Sequence, residues 1–406
     1  MAIRDLFRPL WRHSDPFARR AGVSRLTDQA VLSQIALSDS DYHVRETAVE
    51  KLTDQAVLAQ IALNDSTIDV RRAAVKNLTD QTVLTQVAQN DSNSCIRSMS
   101  VAKLTDQTVL AQIALNDADY HVRYSAAGKI LDQAVLSQIA LKQRDYSAPP
   151  TDVFRAYDWL EQKRGDEFVR SLAVSKLTEQ GLLSTIAQND IGYGNKYERL
   201  SAVKNLSDEE VLGQVAQTDS DSGVRATAVK KLADQAVLAQ IALNDDDCVV
   251  RRTAVENLTD QTVLAQIARN HSDYDLRAMA VTELIDQTVL ADIAQNGGGI
   301  YVRANAVRNL TDQALISQIA QFDSDDYVRR VAVEKVADPA VLARVAQNDM
   351  ELVVCKSAEA IRELDPEYEQ YLDWYFSDGR TPLPASMRDP DSKEWVDPEW
   401  KYGVND

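Results

Sequence analysis

The sequence is poor in the residues that staple or interrupt a fold. Its three cysteines (Cys95, Cys248 and Cys355) stand far apart in 406 residues and form no CxxC pair. That spacing argues against a disulfide framework or a zinc knuckle and makes a reducing compartment the expectation. Ten prolines and 13 glycines leave long helices possible. No apolar run approaches the roughly 18 residues of a membrane span, and the stretch from Met1 to Trp11 holds none long enough for a signal peptide. A cytoplasmic protein without membrane contact is expected. The four histidines (His13, His43, His121 and His271) are scattered, without HExxH or metal-ligand spacing, and GxSxG and P-loop motifs are missing. Neither a cofactor nor a metal is expected. Positive charge is also scarce: 44 Lys and Arg face 62 Asp and Glu, a net charge of -18. This opposes bulk attraction to nucleic acid or an anionic membrane, although a local patch can differ.

What the sequence has in abundance is one phrase. It begins Leu26-Thr27-Asp28-Gln29, continues through Val31, Leu32, Ile35 and Ala36, and turns at Asp39. It then enters Val44-Arg45, Ala48, Val49 and Lys51, and restarts at Leu52. The markers Leu26, Leu52, Leu78, Leu104, Ile130, Leu177, Leu206, Leu232, Leu258, Leu284, Leu310 and Val336 set the period. Every step is 26 residues except two, which carry insertions of 21 and 3 without losing the register. Stacked repeats make an elongated fold whose core grows with each unit.

Each unit reads as two helices. Val31, Leu32, Ile35 and Ala36 form one apolar stripe at helical period, and Val44, Ala48, Val49 and Leu52 form another. Thr27 stands where an N-cap belongs and Asp28 falls in the first turn. Lys51 and its equivalents, mostly Lys or Asn, complement the C-terminal helix end. Helices of about ten residues are too short to be stable alone, so stability must come from stacking. The expected fold is all-α, an α-solenoid of about twelve 26-residue two-helix repeats.

One residue breaks the binary pattern. Arg45 lies in the buried arc, and arginine recurs there as Arg19, Arg71, Arg97, Arg123, Arg170, Arg199, Arg225, Arg251, Arg277, Arg303 and Arg329. A buried guanidinium is costly unless paired. The recurring turn acid offers the partner: Asp39, Asp65, Asp91, Asp117, Asp190, Asp219, Asp245, Asp323 and Asp349. A bidentate Asp–Arg ladder between units is predicted, with a structural role.

A helix pair with a turn Asp and a Val-Arg opening the second helix resembles the HEAT-like repeats of bacterial proteins. The likeness is carried by Asp39, Val44-Arg45, Ala48-Val49 and Leu52 and covers roughly residues 14–361. The short period departs from ordinary HEAT units of about 40 residues and is also similar to variant leucine-rich repeat solenoids. Some of those resemble iron–sulfur proteins, but the clustered cysteines such a cofactor needs are missing here. The resemblance implies a scaffold fold and leaves function open.

The expected organisation is an N-terminal segment over 1–13, the solenoid over 14–361 with a helical insertion at 144–164, a capping helix over 362–376 and a Pro- and Trp-containing tail over 377–406. All five tryptophans (Trp11, Trp159, Trp374, Trp395 and Trp400) lie outside the regular units. Trp11 and Trp374 suit capping of the end units. The insertion helix, with Phe154, Tyr157, Trp159 and Leu160, either packs on a neighbour or offers a partner an anchor. Gly297-Gly298-Gly299 before a helix is either a flexible joint or a phosphate cradle.

The centre of the outward face of the second helices is read at His43, Glu46, Thr47 and Glu50. Across units that face carries Arg20, Arg72, Lys76, Lys204, Lys230, Arg252, Arg308, Arg330 and Lys356 against Glu46, Glu50, Glu256 and Glu334, a mildly basic row. Tyr197, Tyr301 and Tyr327 share the His43 position, which groups Tyr301, Arg308, Tyr327 and Arg330 as a partner-binding patch, because Tyr and Arg are enriched at hot spots. The leading expectation is a non-enzymatic scaffold that binds another protein or peptide along this inner face, with Trp159 as a further anchor. The alternative is nucleic-acid binding of DNA-repair type on the same basic row.

Overall fold

The computed structural model describes residues 9–142, 151–189, 196–338, 341–342 and 344–345. The expected capping helix over 362–376, the tail over 377–406, the first part of the insertion, Asp190, Asp349, Cys355, Lys356, Trp374, Trp395 and Trp400 lie outside the described residues.

All regular elements among the described residues are helices. A 3-10 turn at Leu10–Arg12 precedes α1 (Pro16–Val23), the lone second helix of a half-unit. Pairs then follow: α2 (Gln29–Ser38) with α3 (Tyr42–Val49), α4 (Gln55–Asn64) with α5 (Ile68–Asn77), and α6 (Gln81–Asn90) with α7 (Ser94–Lys103). Next come α8 (Gln107–Asn116) with α9 (Tyr120–Lys129), α10 (Gln133–Leu141) with α11 (Val153–Ser175), and α12 (Gln180–Ala187) with α13 (Lys196–Asn205). The series continues with α14 (Glu209–Thr218) and α15 (Ser222–Val229), α16 (Gln235–Asn244) and α17 (Cys248–Asn257), and α18 (Gln261–Asn270) and α19 (Tyr274–Thr282). It ends with α20 (Gln287–Asn296) and α21 (Ile300–Asn309), then α22 (Gln313–Phe322) and α23 (Asp326–Val333). The chain divides into two compact units, Met1–Ala228 and Val229–Asp406.

The apolar stripes form the core of each unit. Leu32 and Ala36 of α2 and Val44, Ala48 and Val49 of α3 are fully buried, and so are Leu58, Val70, Ala74, Val75 and Leu78 one repeat later. Each such Leu or Val contributes on the order of 1.5–3 kcal/mol by leaving water. Within each unit successive second helices pack more extensively than successive first helices. That asymmetry buries Thr47, which the sequence placed at the centre of the outward face. Its hydroxyl donates to the His43 carbonyl and accepts from Arg20 Nε of the preceding second helix. The exposed line of the second helices therefore runs closer to His43 and Glu50.

The Leu-Thr-Asp-Gln phrase divides its labour differently from the expectation. Asp28, not Thr27, is the N-cap, and its carboxylate accepts from Ala30 N and Val31 N. A carboxylate at this position serves two of the free N–H groups of the first turn. The threonine is held by the previous unit: Thr53 N and Oγ1 both donate to Gln29 Oε1, while Gln29 Nε2 donates to the Lys51 carbonyl. Gln55, Gln81, Gln133, Gln180, Gln235 and Gln287 repeat this clamp. The Lys and Asn at the second-helix ends likewise reach backwards. Lys51 caps the Ser24 carbonyl, and Asn77 those of Val49 and Glu50, so each completes the preceding unit's helix rather than its own.

The Arg–Asp ladder is present. In Arg19–Asp39, Arg45–Asp65, Arg71–Asp91, Arg97–Asp117, Arg199–Asp219 and Arg303–Asp323, Nε and Nη2 meet the two carboxylate oxygens at 2.6–3.1 Å. In Arg45, Arg71 and Arg97, Nη1 also donates to the carbonyl of the ladder acid in its own turn. The hydrogen bond to Asp, opposed by burial, raises the affinity of Arg19, Arg45, Arg71 and Arg97 for their protons.

Among its described residues the 21-residue insertion forms no separate helix. It lengthens the second helix of its unit into α11, 23 residues long and capped by Asp152. Gln143 stands in sequence where the ladder acid belongs, and α11 supplies a replacement: Asp166 pairs with Arg123, both buried. The turn at Leu10–Arg12 lies against the backbone of Gly22 in α1, where a Cβ would come within 2.3 Å of Trp11 N.

Candidate functional site

The predicted patch occupies the second-helix face of the Val229–Asp406 unit. Tyr301 sits in the first turn of α21 and Tyr327 in the first turn of α23, so stacking these helices brings the rings together edge to face, centroids 5.5 Å apart. Arg308 Nη2 donates to the Tyr327 hydroxyl at 2.9 Å, and its Nη1 donates to Asn305 Oδ1 at 2.8 Å. The Arg330 guanidinium lies over the Tyr327 ring, 4.9 Å from its centroid. Tyr301 remains 55% exposed. The structure thus brings together Tyr301, Arg308, Tyr327 and Arg330. Trp159, on α11, belongs to the other unit, with Lys163 Nζ 5.4 Å from its ring centroid.

One member of the row is not evident from the repeat register. Tyr274 stands one position earlier than Tyr301 in its unit, yet its ring meets that of Tyr301 at a centroid distance of 6.2 Å. Its hydroxyl accepts from Tyr301 N at 2.9 Å. Gly299 makes room, because a Cβ there would fall 2.1 Å from the Tyr274 ring. Gly299 is thereby accounted for: the tyrosine hydroxyl takes up an N–H at the start of α21 that an aspartate serves in other units. A glycine opposite an early tyrosine is the signal that finds this residue.

The same device recurs in the Met1–Ala228 unit. There the Tyr120 ring lies on Gly165, where a Cβ would come within 2.0 Å of it. Tyr120, His121 and Tyr124 of α9 and Phe168, Ser171 and Leu172 of α11 line an open cleft of about 480 Å³. Phe168 continues to Tyr197 at 5.5 Å between centroids. Phe168 shares the His43 register, two residues before Arg170, which makes it legible in hindsight.

Two departures from the pattern carry charge. Glu198 occupies the Val44 position of the core stripe and is 4% exposed. Its Oε1 accepts from Arg170 Nε at 2.8 Å and its Oε2 has no hydrogen-bond partner. Burial, opposed by Arg170, holds its carboxyl above the ordinary 4.5, and burial together with the charge of Glu198 raises Glu167 as well. In the other unit, His271 and Gly297 replace two consecutive ladder acids. His271 Nδ1 accepts from Asp273 N as a ladder carboxylate would, and Arg251 Nη2 turns to Asp273 at 2.8 Å, leaving its Nε buried without a partner. The hydrogen bond from Arg251, opposed by burial, lowers the Asp273 carboxyl below 3.8.

The expected basic row is partly engaged within the fold: Arg20 with Thr47, Arg72 with Asp69 at 2.6 Å, and Arg308 with Tyr327. Among the described residues there is no cluster of three metal-ligating side chains and no helix long and apolar enough to cross a membrane.

No family model matches the chain, and no curated protein matches it. Among solved structures it is similar to importin beta, crystallised in a polyethylene glycol condition, at 12% identity and a TM-score of 0.32. That likeness covers 85% of this chain and 59% of the importin beta chain. The fold rests on the helices themselves, a helical-repeat α-solenoid built from successive two-helix units.

Proposed function

We propose that the chain is a non-enzymatic scaffold that binds a protein or peptide along its second-helix face, centred on Tyr301, Arg308, Tyr327 and Arg330. The observation that carries this reading is the preorganised tyrosine row: edge-to-face rings fixed by neighbouring arginines, with Tyr301 still more than half exposed. Rigid aromatic and guanidinium groups give contact area at small entropic cost on binding. Trp159 and the cleft beside Phe168 offer a second anchoring place in the other unit. Affinity capture with the wild-type chain and with Tyr301→Ala/Arg330→Ala as baits tests the reading. A partner recovered by the first and depleted with the second is expected; equal recovery from both baits sinks the site.

A further inference from the structure

The ladder contains an internal template for a ligand. In six rungs the same arginine, in the same helical setting, holds a carboxylate through Nε and Nη2 at 2.6–3.1 Å. Arg277 has the same place in α19, but position 297, where its acid belongs, is glycine. Arg251 meets the same loss by turning to the N-cap acid of the next second helix, Asp273. That escape is closed to Arg277, because the N-cap of α21 is Gly299. Two glycines remove both carboxylates within its reach. Only Nη1 is used, donating to the carbonyls of His271 at 2.6 Å and Ser272 at 3.4 Å, while Nε and Nη2 make no hydrogen bond among the described residues. The glycine turn is also open: a Cβ on Gly298 would meet nothing within 4 Å. The guanidinium lies 5.4 Å from the centroid of Tyr274, the first ring of the tyrosine row.

We propose that this open rung binds one carboxylate of a partner protein, an Asp or Glu side chain held bidentate by Arg277 Nε and Nη2, next to an apolar or aromatic residue lying on the tyrosine row. The inference names the chemistry of the partner and so rests on the scaffold reading. The planar two-oxygen acceptor follows from the six filled rungs, whose fork geometry suits a carboxylate. A single carboxylate fits better than an acidic run, because the chain carries -18 and Asp275, beside Tyr274 on α19, and Asp326, beside Tyr327 on α23, are both exposed.

The test uses the full chain and a peptide, Gly-Trp-Gly-Asp-Gly-amide, labelled with rhodamine on its N-terminal amine, beside its Asn counterpart, followed by fluorescence anisotropy at low ionic strength. The Asp peptide is expected to bind about tenfold or more tighter. Arg277→Gln and Arg277→Lys should both erase that preference, the second because lysine keeps the charge and loses the fork. Circular dichroism melting of both variants reports that they remain folded. Equal binding of the two peptides, or a preference that survives Arg277→Gln, overturns the proposal. Displacement by inorganic phosphate as effective as by acetate at matched ionic strength also overturns it in favour of a general anion site. Loss of partner capture in Tyr301→Ala/Arg330→Ala with no Asp preference removes this site and leaves the scaffold reading standing. An Asp preference with equal capture by both baits does the reverse.

Discussion

Arg123 and Asp166 show what a charged rung costs when it is disturbed. Their side chains are only 2% and 6% exposed, and removing one partner of a buried pair leaves the other charge uncompensated, a loss of about 3–5 kcal/mol. Asp166→Ala is therefore expected to lower the unfolding free energy by roughly 3 kcal/mol in urea titration; a change below about 1 kcal/mol would contradict the buried-pair account. Arg277→Gln strands no carboxylate and should change stability by less than about 1 kcal/mol in the same assay. The caps lie between these limits. Asp54 accepts from Ala56 N and Val57 N, so Asp54→Ala should cost about 1 kcal/mol. At this scale the sequence showed that an acid and an arginine recur, and hence the pairing. It hid the direction of the backbone-seeking side chains, because Gln29 and Lys51 contact residues 22–27 positions away in chain, which no local propensity encodes.

Among the elements, α11 and the paired tyrosine–glycine contacts distinguish the units that carry the candidate sites. The insertion was legible as helical from Phe154 to Leu160. Its fusion with the ladder helix was not, because Gly165-Asp166 reads as a helix stop followed by a new cap, whereas α11 runs through it with Tyr120 packed on Gly165 and Asp166 paired with Arg123. Elsewhere the 26-residue register gave helix pairs, stripes and the Tyr301–Tyr327 grouping, since one repeat step moves a side chain to the same place on the next helix. Tyr274 escaped because it is one residue out of register. Its seat on Gly299 yields a prediction at this scale: Gly299→Ala drives a methyl into the Tyr274 ring and detaches its hydroxyl from Tyr301 N. Melting followed by near-UV circular dichroism should show a loss of about 1–3 kcal/mol together with a changed tyrosine signal. An unaltered tyrosine spectrum would disprove the contact.

For the whole molecule, charge makes stability depend on pH in two opposite ways. Glu198 and Glu167 have carboxyls raised above the ordinary 4.5. As pH falls from neutral, the folded state binds their protons before the unfolded state does, so stability rises on this side. Asp39 and Asp273 are held below 3.8, Asp39 by Arg19 and a backbone N–H despite its burial, Asp273 by Arg251. Their contribution is complete above 3.8 and is lost as pH falls through the lower folded values. Stability is expected to peak on the acid side of neutral. Glu198→Gln keeps an acceptor for Arg170 and should flatten the rise as pH falls from neutral towards the ordinary carboxyl range in chemical denaturation; an undiminished rise would assign it to other groups.

The clamps, caps and rungs that join neighbouring units share one property: each spans a fixed offset from one unit to the next. Arg45 reaches Asp65, Gln29 reaches Thr53 and Asn77 reaches Val49. Excising residues 53–78 would place Asp91 where Asp65 stood relative to Arg45, and Thr79 where Thr53 stood relative to Gln29, with every joint remade by an equivalent residue. A chain shortened in this way would still close the hydrogen bonds between its units. Repeat number is therefore separable from the joints that hold the stack, and from the irregular stretches that carry the candidate sites.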